Sequence, residues 1–141
     1  MGGRDGCHHR GVLSITSRSP YALAALVELY RCGDRGPVPI GELARRRDIP
    51  LQFLEQLFAT LRKGGVLRSQ RGVKGGYSFA RPPHEVTVLE LVELLDGPLG
   101  QGANGVFREA ARAAREVLAN ATVAEVADAE VRAIGAPMYH I

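Results

Sequence analysis

Apolar residues in this chain recur at two kinds of spacing, helical stripes and short extended runs. The clearest stripe is Leu54, Leu57, Phe58 and Leu61, at i, i+3, i+4 and i+7, which predicts a helix over 51–63 stopped by Gly64-Gly65. Its other face then carries Gln52, Glu55, Gln56, Ala59, Arg62 and Lys63. Upstream, Ser19-Pro20 ahead of 21–31 predicts a helix with Ser19 as N-cap and Pro20 at the first helical position. Its buried stripe is Ala22, Ala25, Leu26 and Leu29. The segment 33–39 holds two Gly and two Pro and reads as a loop. A short helix over 40–47 follows, exposing Arg45, Arg46 and Arg47, and Asp48-Ile49-Pro50 ends it.

Beyond Gly65 the period changes from helical to extended. Two β-like runs, 66–70 and 77–80, flank the sequence Arg71-Gly-Val-Lys-Gly-Gly76, whose glycines permit positive φ and close backbone approach. This predicts a hairpin with a basic tip, closed off by Pro82-Pro83. Thr87-x-x-Glu90 is a capping box ahead of Val88, Leu91, Val92 and Leu95, and Asp96-Gly97-Pro98 stops that helix. After a glycine-rich loop over 99–105, the segment 106–120 puts Phe107, Ala110, Ala111, Ala114, Val117 and Leu118, with Ala121 beyond it, on one broad face. A second capping box, Thr122-x-x-Glu125, starts a last helix toward Ile134.

With 141 residues, 45% of them hydrophobic and 23% charged, the chain has the size and composition of one folded unit. Its longest apolar stretch, 21–30, spans ten residues and includes Glu28, too short and too polar for a bilayer span of ~20 residues. Residues 1–13 lack periodicity and any apolar run of signal-peptide length, which predicts a disordered leader and a cytoplasmic protein. The net charge of +3 conceals a division: residues 1–83 hold 14 Lys and Arg against 6 Asp and Glu, whereas 84–141 hold 4 against 9. A basic first half predicts a polyanion-binding face there.

Three helices followed by a two-stranded hairpin is the element order of a winged helix-turn-helix, in which the second helix of the turn enters the DNA major groove. That helix would be 51–63. Gln52, Glu55 and Gln56 suit base readout there, since Gln can bond adenine bidentately and Glu accepts from the cytosine amine. Arg71 and Lys74 at the hairpin tip suit phosphate or minor-groove contact, and Arg62 and Lys63 suit phosphate. A polar helix face is more often simply solvated, and a basic Gly-rich turn more often simply a turn; the order of the elements and the charge of the first half favour nucleic acid.

The blocks 15–26, 49–67 and 71–83 resemble the Rrf2 family of bacterial transcription regulators, which includes the iron–sulfur biogenesis regulator, the nitric-oxide-sensitive repressor and the cysteine-metabolism repressor. The resemblance runs from about Ser14 to Pro98. It implies a mainly α fold with a small β-hairpin wing, a winged helix-turn-helix over 14–83, and then a linker helix, long dimerisation helix and C-terminal tail over 84–141. It further implies a homodimer, most often a repressor, on a palindromic operator in double-stranded DNA, read by Gln52, Glu55, Gln56 and the wing residue Arg71. Ser17, Arg18 and Tyr21 match the positions near the phosphates. Ser19-Pro20 stands where Gly-Arg is common, so one phosphate-contacting arginine is missing. The dimer would bury Phe107, Ala110, Ala114, Val117 and Leu118.

Cluster-binding members carry three cysteines between the fourth helix and the dimerisation helix, whereas 97–105 contains none here. No iron–sulfur cluster is therefore expected, and regulation would pass through a partner protein or a small-molecule effector. Cys7-His8-His9 are sequence neighbours without a scaffold, and no metal site is assigned to them. Cys32 reads as a small half-buried hydrophobe. Enzymatic function is not expected: Glu93 and Asp96 share a helix end, but no nucleophile set, phosphate loop or metal triad accompanies them. The competing reading is a winged-helix protein–protein module or a co-regulator that acts on DNA only through a partner. Such a module has no need of Arg62, Lys63, Arg68, Arg71 and Lys74 around one helix and its wing.

Overall fold

A computed structural model describes residues 13–135; residues 1–12 of the leader, with Cys7-His8-His9, and His140 lie outside them. Six α-helices and one hairpin follow in the order α1 (Arg18–Arg31), α2 (Ile40–Arg47), α3 (Leu51–Lys63), β1 (Leu67–Gln70), β2 (Gly76–Phe79), α4 (Val88–Asp96), α5 (Gly105–Ala119) and α6 (Val123–Gly135), with a 3-10 turn at Pro83–Glu85 before α4. This is the mainly helical winged helix-turn-helix that the sequence predicts. The stripe Leu54, Leu57, Phe58 and Leu61 is fully buried, together with Ala22, Ala25, Leu26, Leu43, Val66 and Leu91. Burying each larger side chain contributes roughly 1.5–3 kcal/mol. Val86, Leu91, Leu95 and Val123 belong to the same core. The change at Pro83 is therefore a change of charge, and the packing runs straight through it.

The first helix begins earlier than its sequence suggests. Ser17 precedes α1, while Ser19 lies inside the first turn and is buried at 4% exposure. Its hydroxyl cannot serve as N-cap because it donates to Asp96 Oδ2 at 2.5 Å. Thr16 takes over: its Oγ1 accepts from Arg18 N at 3.1 Å and donates to Asp96 Oδ1 at 2.6 Å. Pro20 is tolerated because the first-turn N–H groups of a helix have no intrahelical acceptor. Asp96, 3% exposed at the end of α4, so ties the start of α1 to the end of α4. Replacing it by Ala leaves two hydroxyls without that acceptor and is expected to lower stability by roughly 2–3 kcal/mol. A urea midpoint unchanged from the parent would contradict that role.

Only Arg45 of the three α2 arginines stands free of the ion pairs formed by its neighbours. Arg46 pairs with Glu42 at 2.6 Å and Glu28 at 3.1 Å, and Arg47 bridges Glu28 at 3.0 Å to Glu130 of α6 at 2.5 Å. Burial pushes the Glu28 carboxyl up, but hydrogen bonds from Arg47 and Arg46, with the charges of Arg47 and Arg31, hold it below the usual carboxylate range. The expected exposed basic run is thus largely neutralised, and it fastens α6 to α1 and α2. Cys32 is a half-buried free thiol against the core, with Arg35 Nη2 at 3.7 Å from its Sγ.

Of the two capping boxes, Thr122–Glu125 closes reciprocally: Thr122 N donates to Glu125 Oε1 and Glu125 N to Thr122 Oγ1, both at 3.1 Å. At the other, Thr87 Oγ1 accepts from Glu90 N at 3.1 Å while the Glu90 carboxylate pairs with Arg81. The expected single face of α5 divides in two. Ala111 is buried, and Ala114 and Leu118 pack inward on the small cluster of Val88, Val92 and Leu99. Phe107 and Val117 point outward at 62% and 68% exposure, beside exposed Ala110 and Val106.

Candidate nucleic-acid interface

The helix-turn-helix is α2, a tight corner, and α3. Asp48 adopts the left-handed conformation (φ 55°), and Ile49 N bonds Ala44 O at 2.9 Å to end α2. Pro50 then starts α3 with φ preset, and Leu54 N bonds Pro50 O at 3.0 Å. With the apolar stripe turned into the core, Gln52, Glu55 and Gln56 stand exposed along the outer face, followed by exposed Arg62 and Lys63 at its end. The exposure that the sequence predicts for Gln52, Glu55 and Gln56 is the one the fold presents.

The hairpin is held against α3 and the α1–α2 loop. Its register pairs Leu67 with Phe79, Arg68 with Ser78, Ser69 with Tyr77 and Gln70 with Gly76. Tyr77 packs edge-on to Phe58 with ring centroids 5.0 Å apart. Its backbone pairs with Val38 in both directions, at 2.8 and 2.9 Å. Gly76 is needed here: it sits at φ 152°, and a Cβ would run into the Val38 carbonyl. At the tip Gly75 N bonds Gly72 O at 3.0 Å, closing a turn across Val73 and Lys74. Arg71 and Lys74 are exposed.

At the start of α1, Tyr21 is 40% exposed and meets Phe53 of α3 edge-on at 5.6 Å. One turn before Tyr21, Ser17 is exposed and Arg18 half-buried. Arg18 donates Nε to Leu95 O at 3.0 Å, so part of its guanidinium serves the fold. Sequence reasoning missed Asp96 and Thr16, which hold this segment. The stop signal Asp-Gly-Pro explained Asp96 locally and concealed its burial.

The ion pairs between described residues all lie off α3 and the hairpin. Arg31, Arg35, Arg46, Arg47, Arg81 and Arg115 all pair with glutamates. Arg62, Lys63, Arg68, Arg71 and Lys74, on α3 and the hairpin, have no ion-pair partner among the described residues. An exposed polar helix face framed by unneutralised cations can meet a polyanion without first breaking salt bridges. Glu93, the other carboxylate of the weak enzyme reading, is taken up by Arg115.

Comparison with known proteins agrees with this geometry. The family described as Rrf2, iron-dependent transcriptional regulator, matches residues 15–104. An HTH-type transcriptional regulator IscR from Photorhabdus laumondii is 36% identical over 97 residues, which cover 66% of this chain and 59% of that protein. The chain spans about half to three-fifths of the length of the curated relatives it matches. Among solved structures, T. potens IscR superposes with a TM-score of 0.73 at 30% identity, covering 84% of this chain and 88% of that one. CymR, described as the global cysteine regulator of B. subtilis, gives 0.74 at 26% identity, covering 82% and 97%. The relatives are named as regulators, not enzymes.

An iron–sulfur cluster does not fit the segment between α4 and α5. Residues 97–104 offer no thiol, imidazole or carboxylate. Leu99 and Ala103 are buried, and a Cβ on Gly100 would overlap that of Ala111. The nearest carboxylate in sequence, Asp96, accepts from Thr16 and Ser19.

Proposed function

The chain belongs to the Rrf2 family of transcriptional regulators, and from that premise we propose that it binds double-stranded DNA in the cytoplasm as a homodimer, acting as a repressor on a palindromic operator without an iron–sulfur cluster of its own. The observation that carries the reading is the grouping of five cations without an ion-pair partner among the described residues, Arg62, Lys63, Arg68, Arg71 and Lys74, around the exposed polar face of α3 and the hairpin. Gln52, Glu55 and Gln56 read base edges in the major groove, while Arg71 and Lys74 bring the wing to the adjacent minor groove or phosphates. Arg62, Lys63, Ser17, Arg18 and Tyr21 fix the register on the backbone.

The homodimer reading rests on α5. Phe107, Ala110 and Val117 form an apolar face turned away from the rest of the chain, and a two-fold contact covers the same patch on both copies. Because 97–104 lacks cluster ligands, control of DNA binding falls to a partner protein or a small molecule.

Arg71→Ala tests the wing. The expected result is roughly tenfold weaker binding and a salt dependence shallower by about two counterions per dimer, since one cation per protomer leaves the phosphate or groove contact. Binding and salt slope equal to the parent's would remove the wing from the interface.

A further inference from the structure

We propose that Val73, at the very tip of the hairpin, is a specificity-determining side chain that reads the minor-groove floor and favours A·T over G·C where the wing lands. The inference rests on the DNA-binding reading and adds to it a residue and a base preference. Val73 is completely exposed, with 104% of its reference surface open to solvent. A single exposed valine needs no explanation in itself. Its setting gives it one. Val73 and Lys74 are the two central residues of the turn closed by the Gly75 N to Gly72 O bond, the tip of the hairpin.

The turn does not depend on the valine for its shape. A Cβ on Gly75 would collide with the Gln70 carbonyl, and one on Gly76 with the Val38 carbonyl, so the path of the loop is set by backbone packing. The apolar group is thus free of structural duty, held on a pinned scaffold and flanked by Arg71 and Lys74, which have no ion-pair partner among the described residues.

What such a tip meets in a minor groove follows from base chemistry. An A·T pair shows only the adenine N3 and thymine O2 acceptors there, whereas G·C adds the guanine 2-amino group, a donor that protrudes from the floor. The cations draw the tip into a narrow, strongly negative groove. A valine methyl seated on that floor fits over A·T. Over G·C it meets the amino group and leaves its donor without water or acceptor, which is unfavourable. Lys74 and Arg71 supply attraction, and Val73 supplies the discrimination.

The test uses the full chain and the operator duplex it selects from genomic DNA. Adenines at the wing positions are replaced by 2,6-diaminopurine, which adds the 2-amino group in the minor groove and keeps the adenine N6 and N7 of the major-groove edge. In separate duplexes the A·T pairs there are exchanged for inosine·cytosine, which lacks the 2-amino group, and for G·C, which carries it. The parent is expected to lose about tenfold in affinity with diaminopurine, of the size of one unfavourable base pair, and to accept inosine as it accepts adenine. Val73→Ala is expected to lose less than about twofold on the same change, with an unaltered melting temperature. A Val73→Ala variant penalised by diaminopurine as strongly as the parent would overturn the assignment of the discrimination to Val73. A parent indifferent to diaminopurine would overturn minor-groove readout by the tip, with the operator itself still recognised. Failure to select any shared sequence would instead overturn the regulator reading and this inference with it.

Discussion

Replacing Gln52 and Gln56 together by Ala is expected to leave the fold and the salt-sensitive hold on DNA intact while removing most of the preference for the operator. Both side chains are exposed on the face of α3 opposite Leu54, Leu57, Phe58 and Leu61, so truncation leaves no cavity and exposes no core. What it removes is the bidentate match of an amide to adenine, roughly 1–3 kcal/mol of discrimination per pair, or about tenfold to a hundredfold for each. The unpaired cations Arg62, Lys63, Arg68, Arg71 and Lys74 remain and continue to bind phosphate without regard to sequence. Glu55→Ala has a distinguishable signature. Removing a carboxylate from a face that approaches phosphates is expected to strengthen binding to bulk DNA while relaxing readout at one position. Titrations of operator and scrambled duplexes at two salt concentrations separate these effects. A loss equal on both duplexes would mean that α3 contributes charge and shape without reading bases.

The second large effect concerns α5. Phe107→Glu with Val117→Glu is expected to convert the proposed dimer to a monomer, because each substitution places a charge on the exposed apolar face assigned to the two-fold contact. The apolar burial lost is of the order of 1.5–3 kcal/mol for each side chain. Operator binding should fall by about a hundredfold or more, since two tethered half-site contacts become independent ones. Leu118→Glu serves as the contrast. Leu118 faces Val88 and Val92 within the chain, so its replacement should lower the melting temperature itself. Sedimentation of the double variant as a dimer would contradict the interface.

These two regions show where the sequence was sufficient and where it was not. The outer face of α3 was legible because periodicity at i, i+3, i+4, i+7 fixes which side of a helix is buried, and Gly64-Gly65 and Pro50 mark its ends. The hairpin was legible for a similar reason, since Gly72, Gly75 and Gly76 sit where the backbone turns or closes on Val38. On α5 the apolar positions cover too wide an arc for one stripe, and only the approach of α4 decides that Leu118 faces inward and Val117 outward. The α2 arginines read as exposed because their partners are remote: Glu130 lies 83 residues from Arg47. The same holds for Ser19, whose local setting is that of a cap and whose acceptor, Asp96, is 77 residues away. Local pattern determines elements and faces; contacts between distant charged or hydroxyl groups appear only with the packing.

That packing also makes the candidate interface a stable platform. The start of α1 is held to α4 through Thr16, Ser19 and Asp96, α3 is held to the hairpin through Phe58 and Tyr77, and α6 is fastened to α2 through Arg47. The side chains proposed to meet DNA are those left out of these ties, apart from the shared roles of Arg18 and Tyr21.

The most direct test of the central claim is selection of genomic DNA fragments by the purified protein near physiological salt, followed by sequencing of what is retained. The account predicts one enriched palindromic motif, with A·T pairs at the positions beneath the wing, lost on replacing Gln52 and Gln56. Retention of fragments that share no motif, fading uniformly as salt rises, would contradict it.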